Sequence, residues 1–319
     1  MSEMLSFDVR LDYLLPQRQD EVHIAFAVDS NYVQHMGVAI TSIIVNNPKV
    51  NFTFYIMYDT MSEADFDKLK KLSDIYQQPL QLFKVTFPKL FDSLKTMPHI
   101  SKAGYYRLML PYVLPQFLEK VIYLDADLIC CGDITSLWST PIGNAPAAAK
   151  LTDAFEDQAL RLGLTKGQYL NSGVMLINLP AWRQQDIPRR IIEFMITYPD
   201  KIVWLEQDAI AVVLEGQIAP LNDCFNTTID CAKGDGTIEE SSVIVHYVGS
   251  CKPWQRWCPD ERKQVYWKYL RLSPWHEAGP EEPQNIIQYL YAARLENAKS
   301  NPAGVEEMLR KVFASLPDF

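Results

Sequence analysis

Between residues 22 and 85 two hydrophobic patterns take turns, and that alternation restricts the fold more than any other feature of the chain. Val22-His-Ile-Ala-Phe-Ala-Val28 is a short apolar, β-branched run that ends in Asp29-Ser30-Asn31, the signature of a buried strand entering a loop. Residues 38–45 supply one apolar helical face, Asn46-Asn47-Pro48 stop it, and Phe52-Thr-Phe-Tyr-Ile-Met-Tyr58 is a second strand. Phe66, Leu69 and Leu72 fall at helical spacing, and Leu80-Gln-Leu-Phe-Lys-Val85 returns as a strand. Strands that alternate with helices predict an α/β fold: a mainly parallel sheet with helices on both faces. With 319 residues, 48% of them hydrophobic, there is ample material for such a core, in one large domain or two.

The remaining strands end in polar groups. Lys120-Val-Ile-Tyr-Leu124 runs into Asp125-Ala-Asp127; Gly173-Val-Met-Leu-Ile-Asn178 and Ser242-Val-Ile-Val-His246 follow. Ligands of open α/β sheets sit beyond the carboxyl ends of the strands, so Asp29, Asp125, Asp127 and His246 are expected to share one site. Carboxylates at i and i+2 of extended backbone project to the same side and can share a cation. Hard oxygen donors suit Mg²⁺ or Mn²⁺, and an imidazole favours Mn²⁺. Asp65-Phe-Asp67 has the same spacing but lies in a charged helix, where a solvated face is the expectation. A cation held by so few protein groups keeps positions open for a diphosphate, which predicts a nucleotide donor. After His246, Gly249 allows close backbone approach and Lys252 offers a point charge to a phosphate oxygen.

Several classes are disfavoured. A net charge of −9 argues against nucleic acid as the main partner. Neither G-x-x-x-x-G-K-[ST] nor G-x-G-x-x-G occurs, which lowers the P-loop and dinucleotide-binding readings. Six cysteines without C-x-x-C spacing are expected to be reduced thiols rather than a disulfide scaffold or a zinc site. No export signal or membrane-spanning apolar run is visible, which predicts a cytoplasmic protein.

Six motifs, in order, resemble the family 8 glycosyltransferases, which include glycogenin and bacterial lipopolysaccharide and lipooligosaccharide α-galactosyl- and α-glucosyltransferases. They are Ala25-Phe-Ala-Val-Asp-Ser-Asn-Tyr32; His99-Ile-Ser with Tyr106-Arg107-Leu108; Tyr123-Leu-Asp-Ala-Asp127; Tyr169-Leu-Asn-Ser-Gly-Val174; Glu206-Gln-Asp208; and His246-Tyr-Val-Gly-Ser-Cys-Lys-Pro-Trp254. The resemblance implies a GT-A fold, Rossmann-like, and Mn²⁺-dependent transfer of a hexose from a UDP-sugar with retention of configuration. It implies that Ala27, Asp29, Asn31 and Tyr32 contact the uridine, with Ala126 beside them. Asp125, Asp127 and His246 match metal ligands, and Gly249 and Lys252 match diphosphate contacts. Arg107, Asp153, Asn171, Ser172, Glu206 and Gln207 match positions around the donor hexose, and Gln207 or Asp208 is the candidate for the group beneath the anomeric carbon. Glu206 stands where members often carry Asp, which leaves UDP-galactose and UDP-glucose both open as donors.

The expected organisation is an N-terminal extension over 1–20, the transferase domain over 21–258 and a helical C-terminal region over 259–319. Between Lys252 and Arg271 six basic residues face two acidic ones, interleaved with Trp254, Trp257, Tyr266, Trp267 and Tyr269. That mixture suits an anionic headgroup layer or a lipid-linked oligosaccharide acceptor, and predicts peripheral contact with the inner face of the cytoplasmic membrane. The competing expectation is a helix that buries its aromatics in the core. Soluble-acceptor transferases and a non-catalytic UDP-sugar-binding protein are the alternative functions.

Overall fold

A computed structural model describes residues 21–86, 94, 102–153 and 155–315. The N-terminal extension, the His99-Ile-Ser motif and the last four residues lie outside these. In chain order the regular elements are β1 (Glu21–Val28), α1 (Val33–Asn46), β2 (Asn51–Tyr58), α2 (Glu63–Tyr76), β3 (Leu80–Lys84), a 3₁₀ helix (Lys102–Met109), α3 (Leu110–Val113), β4 (Lys120–Leu124), β5 (Leu128–Cys130) and α4 (Thr135–Trp138). They continue with β6 (Ala147–Leu151), α5 (Glu156–Leu162), β7 (Leu170–Asn178), α6 (Leu179–Gln184), α7 (Ile187–Thr197), α8 (Leu205–Val213), β8 (Ile218–Pro220), β9 (Thr227–Ile229), β10 (Ile244–Tyr247), α9 (Gln264–Leu270), α10 (Ile286–Ala298) and α11 (Pro302–Ala314).

Seven strands form one sheet in the order β3-β2-β1-β4-β7-β6-β8. The pairs β3/β2, β2/β1, β1/β4 and β6/β8 are parallel, as the alternating pattern predicts. Ile24, Phe26, Phe54, Ile56 and Leu124 enter the core on one face, while Ala25, Tyr55, Met57 and Tyr123 enter that on the other. Burial on both faces explains why these strands read as unbroken apolar runs.

Two strands depart from the simple picture, and both departures build the site. β7 runs antiparallel to β4, so its beginning, not its end, lies beside the carboxyl end of β4; Asp125 N–H donates to Gly173 O at 2.8 Å. His246 belongs to a separate three-stranded sheet, β5-β10-β9, in which it lies opposite Leu128 on β5 and Thr228 on β9. Asp125-Ala-Asp127 is therefore the link by which the chain leaves the large sheet and enters the small one.

The pattern change near Pro259 does not coincide with an edge of the core. Tyr266, Tyr269, Leu270 and Trp275 are buried in the same cluster as α1, and a Cβ on Gly37 of α1 would stand 2.1 Å from the Trp275 ring. Trp254 stacks on His35 of α1 with ring centroids 3.5 Å apart. By contrast, α10 and α11 pack chiefly on each other around Ala292, Ala293 and Met308, with Trp257. No helix among the described residues is long and apolar enough to cross a membrane.

Candidate active site

The site is laid out by where strands stop. β1 and β4 pair in parallel with Phe26 opposite Leu124, so the segments that follow them, 27–32 and 125–127, emerge side by side. Asp29 turns back on the chain, its Oδ1 accepting from Asn31 N–H at 2.8 Å. Ala27, Asp29 and Tyr32 are half-buried and Asn31 is exposed. Tyr32 meets His35 and Trp254 edge-on, at 5.6 Å and 5.8 Å between centroids. Burial, with the nearby Asp127 second, raises its phenol well above the ordinary value.

Asp125, Asp127 and His246 converge: one ligand atom from each lies within 4.8 Å of the others. His246 Nε2 is 3.1 Å from Asp127 Oδ1 and 4.0 Å from Asp125 Oδ2. Register causes this meeting. His246 is paired to the residue immediately after Asp127, and Tyr247 N–H donates to Asp127 O at 2.9 Å. The space comes from Gly173, where a Cβ would stand 2.2 Å from His246 Cε1 and 2.9 Å from Asp125 Oδ2. Ala126 is buried between the two carboxylates in sequence.

The surroundings hold each carboxylate in place. Arg107, on the 3₁₀ helix, is buried against the Tyr123 ring at 4.2 Å. Its Nη1 donates to Ser172 O at 2.8 Å and to Ser172 Oγ at 3.0 Å, and its Nη2 donates to Asp125 Oδ1 at 2.8 Å and lies 3.1 Å from Glu206 Oε1. Burial opposes that charge, yet Asp125 and Glu206 outweigh it and hold the guanidinium above its usual value. Tyr123 OH also donates to Asp125 Oδ1, at 2.9 Å. Lys252 is buried; its Nζ donates to Asp127 Oδ2 at 2.6 Å and to Tyr247 O at 2.7 Å. Burial pushes the Asp127 carboxyl up, but Lys252 and His246 together pull it down by more, so it lies well below the usual carboxylate range. Gly249, with φ of +79°, takes the left-handed backbone that its residue type allows without strain.

A divalent cation fits this set. Asp127 Oδ1 is buried and has no hydrogen-bond partner although His246 Nε2 is close by, an arrangement that is costly unless a cation lies between them. The donors are two carboxylates and one imidazole, which suits Mn²⁺ or Mg²⁺.

Glu206, Gln207 and Asp208 sit at the start of α8 and behave differently. Leu205 has φ of +48°, a left-handed turn that bends the chain just before them. Glu206 is buried with Oε2 unpartnered, and burial, only partly offset by Arg107, raises its carboxyl above the usual range. Gln207 Oε1 accepts from Ser172 N–H at 3.0 Å and its Nε2 donates to Tyr169 OH at 3.0 Å. Of the two candidates for the group beneath the anomeric carbon, Asp208 is the more enclosed. It is 0% exposed, and its oxygens accept from Tyr169 OH, Gln158 Nε2, Val203 N–H and Trp204 N–H at 2.6 to 2.8 Å. Its oxygens are committed to closing the Leu205 turn and to holding Tyr169.

Asp153 is exposed after β6, in a cleft with Gly167 and Lys166. Asn171 is buried, and its Oδ1 accepts from Gly173 N–H at 3.0 Å and Asn226 Nδ2 at 2.9 Å. Asn226 lies outside every motif quoted from the sequence; a polar residue at 0% exposure shows its importance only in the fold. Trp254, Trp257, Tyr266 and Tyr269 are buried, Arg256 and Arg262 pair with Glu282 and Asp260, and Lys268 and Arg271 are the exposed cations.

Comparison with known proteins adds an independent line. The profile of Glycosyl transferase family 8 matches residues 23–258. A lipopolysaccharide 1,2-glucosyltransferase of Escherichia coli (strain K12) is 32% identical over 281 residues, 84% of this chain and 83% of its own. A lipopolysaccharide 1,3-galactosyltransferase of Salmonella typhimurium is 28% identical over 313 residues, 92% of each chain. The galactosyltransferase LgtC, crystallised with donor and acceptor sugar analogues, superposes with a TM-score of 0.71 at 26% identity, covering 79% of this chain and 96% of that one.

Proposed function

The chain belongs to glycosyl transferase family 8, and from that premise we propose that it transfers galactose or glucose from a UDP-sugar to the core oligosaccharide of a lipid-linked, lipopolysaccharide-type glycan, with retention and in dependence on Mn²⁺. The observation that carries this reading is the meeting of Asp125, Asp127 and His246, drawn from two sheets, with a buried carboxylate oxygen left unpartnered. Support for the acceptor class comes from the two relatives that act on lipopolysaccharide. Work at the cytoplasmic face of the inner membrane, with peripheral attachment, belongs to the same proposal.

Asp125, Asp127 and His246 would hold the cation. When bound, a divalent cation supplies Lewis-acid neutralisation of the departing diphosphate, typically worth several kcal/mol. The chain's own residues do the rest. The 27–32 segment holds the nucleoside, with the apolar ring and polar tip of Tyr32 against the base. Lys252 fixes Asp127 and adds positive charge where UDP leaves. Arg107 fixes Asp125, and with Glu206, Asn171 and Ser172 it frames the hexose.

The anomeric carbon loses its bond to the diphosphate oxygen and gains one to the acceptor hydroxyl on the same face; the hydroxyl proton passes to the departing phosphate. Gln207, whose Oε1 is held by Ser172 N–H, is the candidate for the group that stabilises the cationic carbon, by analogy with glycosidase transition states. An amide is a poor nucleophile, so a short-lived ion pair attacked from the front is favoured over a covalent glycosyl-enzyme. Recovery of a sugar covalently attached to Gln207 after rapid quenching would replace that route. The function itself is tested by UDP release from UDP-galactose and UDP-glucose, with a lipid-linked core acceptor and after removal of metal. Release should stop on chelation, return with Mn²⁺ and yield an α-linked product; sugar donor bound without turnover would favour the binding-protein alternative.

A further inference from the structure

We propose that Asn226 is a positioning residue that fixes the tautomer of His246, leaving Nε2 free to present its lone pair to a divalent cation. Gly173 N–H can only donate, and it lies 3.0 Å from Asn171 Oδ1, which makes that atom an acceptor. The same oxygen is 2.9 Å from the Asn226 side chain, which must therefore turn its NH₂ toward it. The carbonyl oxygen of Asn226 is then left facing His246 Nδ1 at 3.0 Å. An amide oxygen cannot donate, so the proton of the neutral imidazole belongs on Nδ1.

The other ring nitrogen, Nε2, carries a lone pair and faces Asp127 Oδ1 at 3.1 Å, with Asp125 Oδ2 at 4.0 Å. A lone pair directed at two carboxylates is unfavourable alone and favourable around a cation. Asn226 is 0% exposed, Asn171 7% and His246 4%, so water cannot readily substitute for any member of the relay. A backbone donor on β7 thus dictates, through two amides, which imidazole nitrogen is available as a ligand. Partners of this outer kind orient a ligating histidine, and their loss typically costs about 10–100-fold in metal affinity.

The inference rests on the reading of His246 as a metal ligand, and two measurements keep the two apart. In the metal-free protein, ¹⁵N shifts and long-range ¹H–¹⁵N correlations of the neutral His246 ring report the tautomer. The proton should be on Nδ1 in the unaltered protein. It should move to Nε2, the form favoured by a free imidazole, in the near-isosteric Asn226→Leu. A proton on Nε2 in the unaltered protein overturns the proposal whether or not any variant folds. Second, Mn²⁺ titrated by electron paramagnetic resonance in the presence of UDP should bind about 10–100-fold more weakly to Asn226→Leu than to the unaltered protein. Equal affinity in Asn226→Leu and the unaltered protein would also overturn it. An unaltered protein with the Nδ1 proton but no Mn²⁺ binding would instead overturn the metal reading, and with it the use made of the tautomer.

Discussion

Two buried carboxylates of the site respond to pH in opposite senses. Glu206 has its carboxyl raised by burial. A raised folded-state value means that the charged form is disfavoured by folding, so the penalty is absent in acid and grows as pH climbs past the unfolded value of about 4.3. Glu206→Gln should therefore be more stable than the unaltered protein at pH 8 and indistinguishable from it near pH 4, as measured by urea denaturation, while donor binding weakens. Asp127 is the reverse. Lys252 and His246 together outweigh its burial and lower its carboxyl, so it stabilises the fold above about pH 4 and loses that contribution as pH falls below. Asp127→Asn should be less stable at neutral pH, with the difference closing in acid. It should also lower turnover by at least about 10³-fold with circular dichroism unchanged, if several kcal/mol of transition-state stabilisation pass through this oxygen. Near-normal turnover in that variant would remove the metal from the mechanism.

At the level of elements, the start of α8 couples strain to chemistry. The Asp208 carboxylate accepts from Val203 and Trp204 N–H, which holds the left-handed Leu205 turn closed, and it orients Tyr169, which in turn receives Gln207 Nε2. In Asp208→Asn an NH₂ replaces one accepting oxygen. If it faces Tyr169, the hydroxyl must donate toward Gln207, and the Gln207 amide must reverse, setting its NH₂ against Ser172 N–H. The variant should lose about 1–3 kcal/mol of stability and about 10²-fold in kcat, the scale of a misplaced group, without change in Mn²⁺ affinity. A loss of Mn²⁺ affinity in step with kcat would place Asp208 in the metal site instead. Sequence pattern made β1, β2, β3 and β4 and the first helices legible, because burial on both faces writes itself as apolar runs. It could not show that β7 runs backwards or that β10 belongs to another sheet, since both are matters of pairing rather than of local propensity. The carboxylates and the imidazole were legible as chemistry at strand ends. Asp208 and Gln207, adjacent in sequence, are told apart only by the fold, which buries Asp208 completely and leaves Gln207 half-buried.

For the whole molecule, the question is where the folding unit stops on the C-terminal side. The family match ends at residue 258, the point where the sequence changes character, yet the core continues past it. Tyr266, Tyr269, Leu270 and Trp275 are each no more than 2% exposed, and Trp275 fills the gap left by Gly37 on α1. Fully burying a large apolar side chain is worth roughly 1.5–3 kcal/mol, so removing four of them subtracts an amount comparable to the whole stability of a domain, about 5–15 kcal/mol. A chain ending at residue 258 should therefore be recovered unfolded or aggregated. The segment 281–282 is also tied down, through Arg256 N–H to Glu281 O, Glu281 N–H to Trp254 O and the Arg256–Glu282 ion pair. Beyond it, α10 and α11 bury little against the rest apart from Trp257. A chain ending at Gln284 should fold cooperatively, with a modest loss of Tm, and should keep Mn²⁺-dependent release of UDP from the donor sugar. Comparing the two truncations by thermal denaturation and by donor hydrolysis locates the boundary: cooperative unfolding and turnover in the chain ending at 258 would mean that α9 and Trp275 decorate the transferase unit rather than complete it.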